Sequence, residues 1–343
     1  MLDRYSFLDD YSEGCHPSIL AALGESNLVQ QTAYGDDDYS KQARSLIQKY
    51  FKQPDVPVYF VAGGTLANII LMSGSLRSHE AVIAAQTGHI VVRETGAIEA
   101  TGHKIIAVES NDGKLTPELI ETTLSKNAHF PHMTRPRLVY ISNATELGTI
   151  YTKAELTEIS SCCRSNNLLL MVDGARLGAA LTAPKNDLTL NDLAQLCDIF
   201  WIGGTKAGAL IGEAIVVPNQ ALADDFAFHI KQRGALLAKG RLLGIQFNSL
   251  FTDELFFQLS KSANESAQTL STALIAAGFS LAADTESNQI FPILPNTVIE
   301  ALKKRFDFYV WEPVDAQHSV IRLVTSWATD PEQLDAFIHA LKN

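Results

Sequence analysis

From Val58 onward the chain repeats one pattern, a short apolar run followed by a stretch with helical spacing. The apolar runs are Val58–Ala62, Ala81–Ala84, Lys104–Val108, Leu138–Ser142, Leu168–Asp173, Ile199–Ile202 and Ala214–Val217. Helical segments lie between most of them, among them Thr65–Met72, Pro117–Leu124 and Lys153–Asn166. This strand–helix rhythm predicts an α/β fold whose mostly parallel sheet carries helices on both faces. It also restricts where a ligand can sit, because such sheets bind at the carboxyl ends of their strands.

Three chemically loaded segments follow strand ends. Phe60-Val61-Ala62-Gly63-Gly64-Thr65-Leu66-Ala67-Asn68 runs from a strand through a Gly-rich turn into a helix. That geometry presents backbone N–H groups and a helix dipole to a phosphate. Asp173 closes the apolar run Leu168-Leu169-Leu170-Met171-Val172 and is followed by Gly174-Ala175-Arg176. One strand later, Lys206 stands in Trp201-Ile202-Gly203-Gly204-Thr205-Lys206-Ala207-Gly208. Singly, each has a plain reading: a turn, a strand-end cap, a solvated lysine. In this order they match what pyridoxal phosphate requires. The cofactor needs an amine to bind its aldehyde and a carboxylate to keep its ring nitrogen protonated.

The remaining segments set the expected domain plan. The first fifty residues read as an arm with a turn cluster, Tyr34 to Asp38, and an amphipathic helix from Ser40 to Tyr50 with Ser40 as N-cap. Residues 51–250 form the large cofactor-binding domain and 251–343 a small C-terminal one. Few breakers interrupt Asn219 to Ala277, which predicts long helix. Strands follow near Gln289–Leu294 and Val320–Thr325, with helices at Thr297–Arg305 and Pro331–Leu341. No low-complexity linker separates the domains, so they are expected to pack together.

Bulk properties narrow the function classes. A hydrophobic share of 46% against 19% charged residues fits a globular chain with an ample core. The net charge of −11 argues against nucleic acid or an anionic membrane as a main partner. No apolar run approaches the ~20 residues that span a bilayer. The first residues, Met1-Leu2-Asp3-Arg4-Tyr5, are polar and lack the apolar region of a signal peptide. Cys15, Cys162, Cys163 and Cys197 form neither a CxxC pair nor a disulfide framework, and the chain reads as cytoplasmic. His129 and His132 have no third partner, so no metal is expected.

The chain resembles the threonine aldolases, within the aromatic amino acid β-eliminating lyase group of fold-type I pyridoxal phosphate enzymes. The resemblance runs through Tyr34-Gly35-Asp36-Asp37, Gly64-Thr65 with Asn68, and Gly88-His89 with Glu94 and Gly96-Ala97. It continues through Asn143-Ala144-Thr145-Glu146-Leu147-Gly148, Asp173-Gly174-Ala175-Arg176, Gly203-Gly204-Thr205-Lys206 and Ile321-Arg322-Leu323-Val324. It implies an aspartate-aminotransferase-like fold with Lys206 as the Schiff-base lysine and Asp173 at the ring nitrogen. Gly64, Thr65 and Thr205 would serve the phosphate. His89 would stack on the ring, close to the substrate hydroxyl. Arg176 and Arg322 would clamp the substrate carboxylate, since a guanidinium fork matches it; a loop-ordering salt bridge is the other reading of Arg176. Tyr34 would help to build a neighbouring subunit's cofactor site in a dimer or a dimer of dimers.

Three positions depart from the family pattern. Glu146 stands where many members have His, as in the broad-specificity and phenylserine-type branch, and becomes a candidate for proton transfer. Asp9-Asp10 replaces a Ser-Asp pair, leaving Ser12 as the substitute for the missing serine. Lys231-Gln232-Arg233-Gly234 replaces a Gly-rich, Arg-containing loop, with Lys231 and Arg233 available to a phosphate across a subunit boundary. The implied activity is aldehyde-lyase chemistry of the low-specificity L-threonine aldolase type. It would convert L-threonine, L-allo-threonine or phenylserine to glycine and an aldehyde. The alternative is a β-eliminating lyase that gives pyruvate and ammonia. A cofactor-free binding protein on a degenerate scaffold fits poorly with an intact Lys206 and Asp173.

Overall fold

The computed structural model describes residues 4–341; Met1–Asp3, part of the polar N-terminus noted above, lie outside the described residues, as do Lys342 and Asn343. The central sheet has seven strands in the order Val58–Val61, Glu213–Val216, Ile199–Gly203, Leu169–Asp173, Arg135–Ser142, Glu80–Ala85 and Lys104–Val108. Every strand expected for this sheet is present, with ends shifted by a few residues. Glu213–Val216 alone runs against its neighbours. It follows Ile199–Gly203 through Gly204–Gly212, too short for the crossover that a parallel partner needs. The tight return sets Glu213 opposite Gly203.

Alternate residues of the inner strands feed two cores on opposite faces of the sheet. Val139, Ile141, Leu170 and Val172 join one cluster. Leu138, Tyr140, Met171 and Trp201 join the other, beneath the Gly64–Ser75 helix with its Ala67, Ile70 and Leu71. This second face lays the first turn of that helix across the carboxyl ends of the Leu169–Asp173 and Ile199–Gly203 strands.

A second, antiparallel sheet is centred on His318–Val324. The strand expected near Gln289–Leu294 is two pieces, Gln289–Ile290 and Pro292–Pro295, both paired to His318–Val324. Tyr309–Pro313, not foreseen, pairs with the same strand. The helices fall at Asn296–Leu302 and Pro331–Ala340.

Three expectations are corrected. The helix expected from Asn219 to Ala277 is four: Gln220–Ala223, Phe226–Gln232, Arg241–Phe251 and Leu255–Ala276. The last break comes where Asp253 and Glu254 adopt left-handed backbone, at φ of 50° and 58°, which no glycine advertises. Ser40 is not an N-cap. Asp37 caps the Asp38–Gln48 helix, its carboxylate accepting from the Ser40 N–H and the Ser40 hydroxyl, each at 2.8 Å. Two segments of the expected arm pack into the body of the protein. Tyr5–Ser6 pairs with Phe306–Asp307, and Phe7 joins Phe306 and Phe337 in the core of the second sheet. Pro17–Ser26 is a further helix, and its Ile19 lies in the central-sheet core with Ala43 and Ile47.

Candidate active site

The Gly63-Gly64-Thr65 turn opens the Gly64–Ser75 helix with no side chain capping it. Its first N–H groups are therefore left to another acceptor, at the positive end of the helix dipole. A Cβ on Gly64 would lie 2.8 Å from the Trp201 indole, so the turn packs directly on that ring. Trp201 Nε1 donates to Asn68 Oδ1 at 3.3 Å, which turns the Asn68 amide nitrogen toward two carboxylates. Asn68 Nδ2 donates to Asp173 Oδ2 at 3.1 Å and to Glu94 Oε1 at 2.8 Å.

Asp173 is buried at the end of its strand and held by three donors. Tyr140 donates its hydroxyl to Oδ2 at 2.5 Å, beside the Asn68 amide, and the Ala175 N–H donates to Oδ1 at 2.9 Å. Burial and the adjacent Asp173 charge push the Tyr140 hydroxyl well above its usual range, so it stays a donor. From Glu94 the network continues to His89 Nδ1 at 2.8 Å. Glu146 accepts from the His89 N–H at 2.9 Å and from Ser142 Oγ at 2.7 Å. Burial raises the Glu146 carboxyl above the ordinary carboxylate range, and the Asp173 charge adds to this against the hydrogen bonds it accepts. His89, Glu94, Asn68, Asp173, Tyr140, Ser142 and Glu146 thus form one connected polar layer.

Lys206 lies in the short turn after the Ile199–Gly203 strand, with Nζ 5.7 Å from the Tyr11 ring centre. Burial and the nearby Arg176 charge hold its amine below the usual lysine range, against the pull of Asp10, Asp173 and Glu213. An amine lowered this way is more often neutral and nucleophilic. The Thr205 hydroxyl, expected to face a phosphate, donates instead to Glu213 Oε1 at 2.9 Å and accepts from the Gly212 N–H.

Arg176 and Arg322 sit in the same charged cluster but differ in what occupies them. Arg176 Nε and Nη2 bind the two oxygens of Asp10, at 2.7 and 3.0 Å, so its fork is already filled. This salt bridge ties the loop after Asp173 to the N-terminal segment. Arg322 is mostly buried, its Nε has no partner, and Asp9 approaches no closer than 3.7 Å. Its guanidinium lies 5.4 Å from the ring centres of both Tyr309 and Trp311. Ser12 is exposed, with its hydroxyl donating to the Asp9 carbonyl at 3.3 Å. Tyr34 is 48% exposed and stands apart from this cluster, its ring 4.6 Å from Lys231 Nζ. Lys231 and Arg233 are both exposed.

Four contributors escaped the sequence reading: Tyr140, Ser142, Glu213, and Asp10 as the partner of Arg176. Each had a faint signal. Tyr140 and Ser142 are polar-tipped residues in an apolar strand, and the register sets Ser142 beside Asp173. Glu213 is a lone acid opening the apolar Ala214-Ile215-Val216. Asp10 lies too far along the chain from Arg176 for any local pattern to pair them. Among the described residues, no group of three or more His, Cys, Asp or Glu could hold a metal ion. No helix of the described residues is long and apolar enough to cross a membrane.

The donor set fits a ligand with an anionic end, a basic ring nitrogen and a carbonyl. An uncapped helix start faces the first, a buried carboxylate the second and a depressed amine the third, and the unpartnered Arg322 Nε leaves room for a further carboxylate. Comparison with known proteins points the same way. The sequence profile of the beta-eliminating lyase family matches residues 9–329. The low specificity L-threonine aldolase of Pseudomonas aeruginosa is 33% identical over 332 residues, covering 95% of this chain and 93% of that protein. The structure of Leishmania major threonine aldolase superposes with a TM-score of 0.97 at 50% identity, covering 98% of both chains. An aspartate aminotransferase of Thermus thermophilus shares the fold alone, with a TM-score of 0.72 at 13% identity over 99% of this chain and 91% of that one. The fold is therefore the expected fold-type I architecture, and the chain belongs to the beta-eliminating lyase family, among its threonine aldolases.

Proposed function

We propose that this protein is a pyridoxal 5′-phosphate-dependent aldehyde-lyase. It cleaves L-threonine, L-allo-threonine or related L-β-hydroxy amino acids, phenylserine included, to glycine and an aldehyde. The observation that carries this reading is the buried Lys206 amine within the electrostatic reach of the triply hydrogen-bonded Asp173. When bound, the cofactor supplies an electron sink for the bond broken at the substrate Cα.

The side chains then divide the work. Lys206 would anchor the cofactor, and Asp173, fixed by Tyr140, Asn68 and the Ala175 N–H, would hold a proton at the ring nitrogen. The N–H groups of Gly64 and Thr65 would bind the phosphate. His89, steadied through Nδ1 by Glu94, would lie against the ring face. Arg322 would take the substrate carboxylate in charge-assisted hydrogen bonds, which orients the Cα bonds relative to the ring. Arg176 would act one step back by holding Asp10 and the N-terminal segment against the cleft. Glu146 is our candidate to take the proton of the substrate hydroxyl. Its raised acidity range brings it nearer the working pH, as a general base requires.

Product analysis tests the reading. With L-threonine, the protein plus cofactor should release glycine and acetaldehyde in equal amounts, and with phenylserine glycine and benzaldehyde. Pyruvate and ammonia from an amino acid with a good leaving group, with no glycine from threonine, would transfer the assignment to the β-eliminating alternative.

We also infer a homo-oligomer, a dimer or a dimer of dimers, with Tyr34 serving a neighbouring subunit's site. Supporting this, Tyr34 and Thr65 are both exposed in the single chain, and Tyr34 holds left-handed backbone at φ 60°. Light scattering that finds a fully active monomer would refute it. Four buried free thiols support a reducing, cytoplasmic setting.

A further inference from the structure

Glu213 is 4% exposed and opens a strand whose other residues are all apolar and buried. The tight return from Ile199–Gly203 brings it beneath the Lys206 turn, where its two oxygens are both used. Oε1 accepts from the Thr205 hydroxyl at 2.9 Å and Oε2 from the Gly204 N–H at 3.0 Å. These are the two residues that precede Lys206. Both donors are neutral, and no Lys or Arg of the described residues lies within ion-pair distance of this carboxylate. A glutamine has one oxygen and an amide nitrogen that only donates, so it could accept from one of these donors but not from both; the turn needs both oxygens of an acid, although a buried unpaired carboxylate is costly. The group facing it that gives an ionisable acid a purpose is Lys206.

We propose that Glu213 is a positioning residue for Lys206: its carboxylate pins the Gly204-Thr205 turn, and its charge sets when the lysine amine becomes free to react. The proposal rests on Lys206 anchoring the cofactor. Before that can happen the ammonium must release a proton. The neutral amine then forms a C=N bond with the aldehyde carbon, and the aldehyde oxygen leaves as water. An anion close to the ammonium delays the first step and a cation advances it. The charges around Lys206 are Arg176 from the loop after Asp173, Asp10 from the N-terminal segment, Asp173 from its own strand and Glu213 from the return strand, with the Tyr11 ring above. Burial outweighs the Thr205 and Gly204 hydrogen bonds and the Lys206 charge, and leaves the Glu213 carboxyl raised to about 8. The Glu213 and Lys206 charges therefore respond to each other as the two groups titrate.

The test is the pH dependence of cofactor capture by the protein stripped of cofactor, followed by visible absorbance and by borohydride fixation at Lys206. Glu213→Gln keeps the size of the side chain and an acceptor for the Gly204 N–H, and removes the charge together with the acceptor of the Thr205 hydroxyl. Its midpoint for capture should fall by roughly one pH unit, the size expected for loss of one close opposite charge, with the melting temperature kept. Thr205→Val removes the hydroxyl contact and leaves the charge, and its midpoint should stay near that of the wild type. An unchanged midpoint in a folded Glu213→Gln protein, or a fall in Thr205→Val matching that in Glu213→Gln, would overturn the proposal. Absence of capture at Lys206 in the wild type would instead overturn the functional reading beneath it.

Discussion

Deleting the Asp10 carboxylate should destabilise the protein more than most single changes near the site. Asp10 is 1% exposed, and it binds Arg176 through both oxygens while also accepting from Asn288 Nδ2 at 2.9 Å. Alanine there leaves a buried guanidinium and an amide N–H without acceptors. Removing one partner of a buried pair costs about 3–5 kcal/mol. Unfolding entropy of about 2.1 cal/mol/K per residue, taken over 343 residues, gives about 0.7 kcal/mol/K. The melting temperature of Asp10→Ala should therefore drop by about 4–7 °C at neutral pH. Replacing both partners, Asp10→Leu with Arg176→Met, should recover much of the loss, because no charge is then left unpaired. The pH dependence has a definite sign. Burial alone would raise the Asp10 carboxyl, but the Arg176 and Lys206 charges and the hydrogen bonds outweigh it and hold it below its usual value. A depressed acid contributes stability that is complete above its unfolded value near 4 and is lost as pH falls through the lower folded value. The deficit of the alanine variant should thus be full at pH 7 and shrink below about pH 4. Calorimetric melts at the two pH values decide the matter. A shift under about 1 °C at pH 7, or a deficit that grows on acidification, would refute the argument.

Further changes probe other parts of the site. Arg322→Leu should raise KM for threonine about 30- to 150-fold, the equivalent of about 2–3 kcal/mol for a charge-assisted hydrogen bond, while cofactor affinity holds; loss of cofactor with KM unchanged would move Arg322 into the scaffold. Gly64→Ala forces a Cβ to within 2.8 Å of Trp201 and should cost about 1–3 kcal/mol of stability together with cofactor affinity, which equilibrium dialysis can follow. Glu146→Gln should abolish the acidic limb of the kcat profile. In the wild type that limb should lie above the ordinary carboxylate range, because burial raises this group and it must ionise to accept a proton. A wild-type limb retained in the variant would assign the proton to another group.

Much of this architecture could be read from the chain because it is written in local pattern. The seven strands announce themselves as apolar runs, and Gly64, Asp173 and Lys206 each lie at or just after the end of one of them. What could not be read depends on contacts between distant segments or on backbone choices without a residue signature. Asp253 and Glu254 make the last break in the run from Asn219 in a conformation usually left to glycine, so that break had no residue signature. Tyr5 and Ser6 could be read only as part of an arm because their partners, Phe306 and Asp307, lie at the other end of the chain. Arg176 was legible as a clamp from its neighbours, and only the fold shows that Asp10 fills its fork. Glu213 became visible once the return strand was seen to be antiparallel, since that alone brings an acid beneath the lysine turn.

The most direct test of the whole account is the covalent anchor itself. The protein is incubated with pyridoxal 5′-phosphate, reduced with borohydride, digested and mapped by mass spectrometry. The account predicts one phosphopyridoxyl group per chain, on Lys206, and none in Lys206→Ala. Stoichiometric label on a different lysine, or the same labelling in Lys206→Ala, would contradict it.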